Sequence, residues 1–131
     1  ELEFSTCVTE SLRIHGHQDS FEATNRLSFY GSDAPEIESM IESDKSLALP
    51  IHPDLKTTQA EVIWACRMEM ARTVDDVLSR RSRSLLFNAR AASEAAGVVA
   101  TLMASELDCD ETWAKDQTTS FRRLAEGYTV N

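Results

Sequence analysis

Six arginines lie between residues 67 and 90 of an otherwise acidic chain, and their side chains are the ones best suited to bind an anionic group. Three carboxylates share this segment, which leaves a local charge of +3, whereas the whole chain has a net charge of −9. A guanidinium group binds carboxylates and phosphates through two parallel N–H donors. The arginines of this cationic segment are Arg67, Arg72, Arg80, Arg81, Arg83 and Arg90.

Two interpretations of the cationic segment compete. In the first it is a solvated helix end, where Arg80 pairs with Asp76 four residues earlier and the cations complement the helix dipole. That arrangement leaves Arg81, Arg83 and Arg90 without partners nearby in the sequence. In the second it is an interface with another domain, and the candidate contact residues are Arg80, Arg81, Arg83, Arg72 and Glu69.

Motifs of an enzyme active site are missing from the sequence. It has no G-x-G-x-x-G fingerprint, no nucleophile motif and no H-E-x-x-H metal helix. Glu61 and Glu69 lie two turns apart, but helix capping and pairing with an arginine explain them better than acid–base catalysis. His15 and His17 flank Gly16, which indicates a turn rather than a pair of metal ligands. We therefore predict no catalytic, cofactor-binding or metal-binding residue in this chain.

Length and composition are those of one soluble globular domain covering all 131 residues. Cys7, Cys66 and Cys109 are odd in number and widely spaced, which favours a reducing compartment over a disulfide framework. The acidic balance argues against nucleic acid as a partner. No apolar run is long enough to cross a membrane, and no signal peptide is recognisable. Because the first residue is Glu1 rather than methionine, we expect a fragment of a longer protein.

The N-terminal third, residues 1–57, is predicted to be rich in loops. A weak helical pattern over residues 21–30 ends at Gly31, and a short helix is expected to follow with Pro35 in its first turn. Residues 47–53 include two prolines, which remove amide donors and disfavour helix. We expect this stretch to form an extended strap that packs its leucines on the core.

From Thr58 onward the pattern is helical. Thr58 and Glu61 fit a capping box, in which each side chain satisfies a backbone amide of the other. A second possible box at residues 73–76 predicts that the helix breaks and restarts there. The apolar face expected along this stretch consists of Ile63, Cys66, Met70, Val74 and Val77.

Two longer helices are predicted to complete the chain. Asn88 is expected to cap the first of them, which is rich in alanine and has a possible kink at Gly97. Asp108 or Asp110 is expected to begin the second. The predicted fold class is mainly α, a compact multi-helix bundle with a loop-rich N-terminal third. The buried face expected on the last helix is Trp113, Gln117, Phe121, Leu124 and Tyr128.

Several short motifs follow one another along most of the chain, in an order typical of one protein family. They read AEV, EMART, DVL and RR, at Ala60–Val62, Glu69–Thr73, Asp76–Leu78 and Arg80–Arg81. Upstream, Ile14–Gly16, Tyr30–Ala34 and His52–Pro53 fit the same order. This pattern resembles the C-terminal helical domain of FAD-dependent glycerol-3-phosphate dehydrogenases and alpha-glycerophosphate oxidases.

The resemblance implies a parent enzyme that oxidises sn-glycerol 3-phosphate to dihydroxyacetone phosphate and passes two electrons through FAD to a quinone. It places FAD and the substrate in a catalytic domain upstream of this chain. The chain would then be a C-terminal cap that binds the FAD-binding domain and is inactive alone. The resemblance also implies a cytoplasmic parent attached peripherally to the inner face of a bacterial membrane. The membrane surface or a dimer partner would be further contacts.

An alternative from another class is a self-standing acidic helical module that binds a protein through its arginine face. A weaker third possibility is an independent enzyme whose site has no recognised motif. The reading frame upstream of Glu1 discriminates between them, because a flavin-binding G-x-G-x-x-G unit there supports the dehydrogenase and a start codon supports the module. The electron acceptor and the oligomeric state are not determined by these residues.

Overall fold

A computed structural model describes residues 7–20 and 26–129 of the chain. Within these ranges helices predominate and no β-strand occurs, only an isolated bridge between Pro50 and Thr58. The predicted mainly α, multi-helix fold is confirmed. The α-helices are α1 (Ala34–Ser43), α2 (Gln59–Met68), α3 (Ser84–Phe87), α4 (Ala89–Leu107) and α5 (Glu111–Glu126), with 3-10 helices at Arg26–Asp33 and Lys45–Ala48 and a π-helix at Asp76–Arg81.

Two compact units divide the chain, Glu1–Glu38 and Ser39–Asn131. The expectation that residues 1–131 form a single domain therefore stays a prediction. Each unit has its own internal packing, and the cationic segment lies in the second.

In the first unit a tight turn meets a second backbone segment. The amide of His17 donates to the carbonyl of Ile14 at 3.0 Å, and Gly16 has a φ of 81°, so the predicted turn is confirmed. A β-carbon on Gly31 would lie 1.7 Å from the Gly16 carbonyl oxygen, so this approach requires glycine. Of the helical pattern predicted over 21–30, residues 21–25 lie outside the described ranges.

The core of the second unit lies between α2, α4 and α5. Because α4 presents a face of alanines and valines, its neighbours can approach its backbone closely. α5 adds Phe121 and Ala125, and the loop before α2 adds Ile51 and Leu55. The fully buried large side chains of this unit are Phe121, Leu78, Met103, Val62, Val74, Val77 and Val99.

Helix starts agree with the sequence. The amide of Thr58 donates to Glu61 Oε2 at 2.7 Å within the expected capping box. Asn88 Oδ1 accepts the amide of Ala91 at 3.1 Å and caps α4. Asp110 caps α5, whereas Asp108 ends α4 with a left-handed φ of 54°. α4 continues through Gly97 as one helix.

The prediction of an extended strap at residues 47–53 was wrong in part. Lys45–Ala48 is a 3-10 helix, because the Asp44 carboxylate accepts the amide of Ser46 at 2.9 Å and stabilises a turn before the prolines take effect. Leu49 does not pack as expected, since it is 55% exposed, whereas Leu47 is half-buried. Ile51 takes the buried position instead.

Three residues assigned to buried faces are exposed: Met70, Leu124 and Tyr128. α2 ends at Met68, so the helical phase that would have buried Met70 is lost. On α5 the buried positions are Phe121 and Ala125, one turn apart, and the chain leaves the helix at Gly127 before Tyr128 can complete the stripe.

Candidate functional site

The cationic segment begins where α2 ends. Met70 adopts a left-handed φ of 57°, which turns the chain out of the helix. The guanidinium of Arg72 then donates through Nη1 to the carbonyl oxygens of Cys66 at 3.1 Å and Ala71 at 3.0 Å. The carbonyls at a helix end have no partner within the helix, so Arg72 stabilises this terminus.

A second capping box restarts the helix, as the sequence predicted. Asp76 Oδ2 accepts the amides of Arg72 and Thr73, both at 3.0 Å, and the amide of Asp76 donates to Thr73 Oγ1 at 3.1 Å. Burial alone would raise the pKa of Asp76. The amide of Arg72, the hydroxyl and amide of Thr73 and the guanidinium of Arg80 outweigh it, and the pKa of this carboxyl is lowered.

Arg80 and Arg81 both pair within the segment. Arg80 binds Asp76 four residues earlier, as predicted, and its Nη2 lies 3.0 Å from Asp75 Oδ2. Arg81 Nη2 donates to the backbone carbonyl of Glu69 at 2.6 Å, and its Nε lies 3.4 Å from the Glu69 carboxylate. Glu69 therefore pairs with an arginine, as expected, and its partner Arg81 fixes the loop against the π-helix.

Arg67 forms an ion pair that sequence reasoning missed. Its Nε and Nη2 donate to the two oxygens of Glu106 at 2.6 and 2.9 Å, which is the bidentate geometry of a strong charge-assisted pair. The pair joins α2 to α4 across 39 residues of sequence. No local spacing rule could have found it, because partners this distant meet only through the tertiary fold.

Arg83 differs from the other candidates. It adopts a left-handed φ of 54° at the start of α3, and its side chain is exposed. Within the described ranges the side chains of Arg83 and Arg90 form no hydrogen bond and no ion pair. The predicted candidates thus separate into two groups. Glu69, Arg72 and Arg81 pack around the loop with Arg80 nearby, whereas Arg83 faces solvent.

Exposed apolar residues next to Arg83 were not predicted. Leu86 is 66% exposed and Phe87 82% exposed, while Leu85 between Ser84 and Leu86 is buried. The sequence signal was present, since two consecutive large apolar residues follow a buried one in a helix too short to bury all three.

Metal-ligand clusters and the carboxylates of Glu61 and Glu69 are the remaining candidates for site chemistry. In the part of the chain that the structure describes, no group of three or more His, Cys, Asp or Glu side chains is placed to hold a metal ion. Glu61 accepts from Thr58 and Glu69 contacts Arg81, so both carboxylates serve local structure. Across the same ranges, no helix has the length and apolar character needed to span a bilayer.

Comparison with known proteins identifies the family of the chain. A family model described as the C-terminal domain of alpha-glycerophosphate oxidase matches residues 7–114. This range covers most of the chain and includes the whole cationic segment, α3 and α4. No curated protein and no solved structure matches the chain.

Proposed function

The chain belongs to the family of C-terminal domains of alpha-glycerophosphate oxidase, and from this membership we propose that it is the helical cap of a flavoenzyme. The parent would oxidise sn-glycerol 3-phosphate to dihydroxyacetone phosphate and transfer two electrons through FAD to a quinone. It would be a cytoplasmic enzyme bound peripherally to the inner face of the membrane. The match over residues 7–114 is the observation that carries this proposal.

A flavin site does not fit the residues of this chain. Dinucleotide binding uses a glycine-rich turn between a strand and a helix, where backbone amides approach the pyrophosphate. The chain has four glycines, far apart in sequence, and in the described ranges none lies between a strand and a helix. FAD therefore belongs to the catalytic domain of the parent in this proposal, and the role of this chain is structural.

The cationic segment is the surface proposed to meet the catalytic domain. Glu69, Arg72, Arg80 and Arg81 hold the loop and the π-helix in shape through their mutual contacts. Arg83, two residues beyond Arg81, is left to bind a carboxylate or a backbone carbonyl of the neighbouring domain. Once such a contact is buried, removing one partner costs roughly 2–5 kcal/mol, much of it from leaving the other group unpaired.

The purified full-length parent and the isolated chain together test the proposal. The parent should contain FAD, and its flavin should bleach when sn-glycerol 3-phosphate, but not glycerol, is added without oxygen. A quinone analogue should then restore the oxidised flavin. The isolated chain should be colourless after dialysis. An unbleached flavin in the parent would overturn the assigned reaction, and flavin retained by the isolated chain would overturn its non-catalytic role.

A further inference from the structure

Two neighbouring apolar side chains of α3 are exposed to solvent, although the first two residues of the helix are buried. Leu86 and Phe87 are 66% and 82% exposed, whereas Ser84 and Leu85 are each 3% exposed. Single exposed apolar residues are common on protein surfaces, but Phe87 adjoins Leu86, and aromatic residues are enriched in the buried core of interfaces. We therefore expect another protein surface to cover this pair.

The backbone beneath this pair is held at both ends. Ser82 and Ser84 share a hydrogen bond between their hydroxyl oxygens at 2.8 Å, and the amide of Asn88 donates to the Ser84 carbonyl at 2.9 Å. Arg83 keeps the left-handed backbone that starts α3, a conformation that costs a residue with a side chain about 1–2 kcal/mol. A surface fixed in advance loses little conformational entropy when it binds.

Charge defines the kind of partner that fits. Arg83 precedes the apolar pair and Arg90 follows it, both exposed. A complementary surface needs an apolar hollow with carboxylates at its edge. The family to which the chain belongs is that of a C-terminal domain, so the rest of such a polypeptide is the candidate for this surface.

We propose that Leu86 and Phe87 insert into an apolar hollow edged by carboxylates on the FAD-binding catalytic domain of the same polypeptide, with Arg83 and Arg90 paired to those carboxylates. The inference rests on the proposed function, which supplies the catalytic domain as partner. What it adds is the position of the contact and the chemistry of the receiving surface.

Photocrosslinking in the full-length protein tests the position. Phe87→p-benzoylphenylalanine replaces one exposed aromatic residue by another, and Val98→p-benzoylphenylalanine, at a 44% exposed position on α4, is the matched control. We expect the label at position 87 to join a catalytic-domain peptide rich in Asp or Glu, and the label at 98 to give no such product. No product from position 87, a product with a second copy or another protein, or the same product from both positions would overturn the inference.

Charge reversal tests the ionic part. In the protein labelled at position 87, the pair Arg83→Glu and Arg90→Glu should lower the crosslink yield about tenfold, the factor that corresponds to 1.4 kcal/mol. The pair Arg83→Lys and Arg90→Lys keeps the charges and should lose less. An unchanged yield after charge reversal would contradict the proposed carboxylates.

Flavin bleaching by sn-glycerol 3-phosphate, measured on the unlabelled parent, distinguishes failure of the α3 contact from failure of the proposed function. Normal bleaching together with a failed crosslink would reject the α3 contact and leave the proposed function standing. Absence of bleaching in the unlabelled parent would reject the proposed function itself.

Discussion

At the residue scale, burial decides the chemistry of the cysteine at the end of α2. Desolvation is the main cause that raises the pKa of Cys66 from its ordinary value of 9.0 to about 11, and the charge of Glu106 adds to it. Arg72 and Arg67 oppose the shift without cancelling it. In contrast, a hydrogen bond from Thr9 lowers the pKa of the exposed Cys7.

We therefore predict that iodoacetamide labels Cys7 first and Cys66 last. The thiolate is the reactive form, and two pKa units reduce its fraction near pH 8 roughly a hundredfold. Mass spectrometry of peptides after timed quenching measures the order, and the urea-unfolded chain is the control in which the rates should converge. Labelling of Cys66 as fast as Cys7 in the folded chain would contradict its burial.

Arg81 and Arg83 should respond differently to alanine substitution. In the isolated chain, Arg81→Ala removes the contact with Glu69 and should cost up to about 1 kcal/mol, since the pair is exposed. Arg83→Ala removes no side-chain hydrogen bond or ion pair in the described ranges and should cost less than about 0.5 kcal/mol. Urea unfolding of both variants measures these free energies.

In the full-length parent the order should reverse. Arg83→Ala would strand a buried partner and cost roughly 2–5 kcal/mol at the domain interface. Arg81 was expected from the sequence to lack a partner in its own domain, and its contact with Glu69 corrects that premise. Equal losses for Arg83→Ala in the isolated chain and in the parent would show that this arginine serves only the fold of its own domain.

At the scale of elements, the capping box at residues 73–76 makes the cationic segment sensitive to acid. The pKa of Asp76 is lowered in the folded chain, so its carboxylate binds fewer protons there than in the unfolded chain. Its contribution to stability is complete above the unfolded value of about 3.9 and is lost as the pH falls through the lower folded value.

The prediction is that Asp76→Asn removes this part of the acid response. Asn keeps an oxygen that accepts an amide but loses the charge paired with Arg80, which should cost about 0.2–1 kcal/mol at pH 7. Because Asn does not titrate, the difference from the unmodified chain should shrink as the pH falls below about 4. Urea midpoints between pH 7 and pH 3 measure it. A difference that stays constant with pH would show that the carboxylate has an ordinary affinity for protons in the fold.

The buried face of α4 is rich in small side chains. Ala96 is fully buried on α4, so Ala96→Leu should overpack the core and cost about 1–3 kcal/mol. Val98→Leu, on the exposed side of the same helix, is the control and should stay within about 0.5 kcal/mol. Denaturant midpoints of the two variants decide the matter. A neutral Ala96→Leu would mean that the buried face of α4 is less closely packed than described.

The starts of helices could be predicted from sequence because their signals are local. The side chains of Asn88 and Asp110 each accept an amide three residues later, and the amide of Thr58 donates to Glu61 three residues later. Each chain segment alone therefore contains the whole interaction. The end of α2 could not be predicted in the same way. A left-handed Met70 has no glycine signal, and the guanidinium of Arg72 stabilises the turn only once the chain has folded back.

At the scale of the whole molecule, the candidate site was predictable as a region and not as a set of contacts. Charge counting defines the cationic segment, since composition needs no geometry. It could not separate Arg81, held by Glu69, from Arg83, which faces solvent. That separation depends on how the loop after α2 returns to the π-helix, which is a property of the tertiary fold.

The division of the chain into two units leads to a last prediction. The large apolar cluster of the second unit draws every member from residues 51–125, so it contains no residue of the first unit. A chain starting at Ala34, where α1 begins, should therefore keep the helical circular dichroism of α2, α4 and α5 and melt in one cooperative transition. Gly31→Ala in the intact chain is the companion variant, since a β-carbon there would meet the Gly16 carbonyl at 1.7 Å. It should disturb the first unit while the main transition stays in place. Loss of cooperative melting in the shortened chain would instead show that residues 1–131 fold as one indivisible domain.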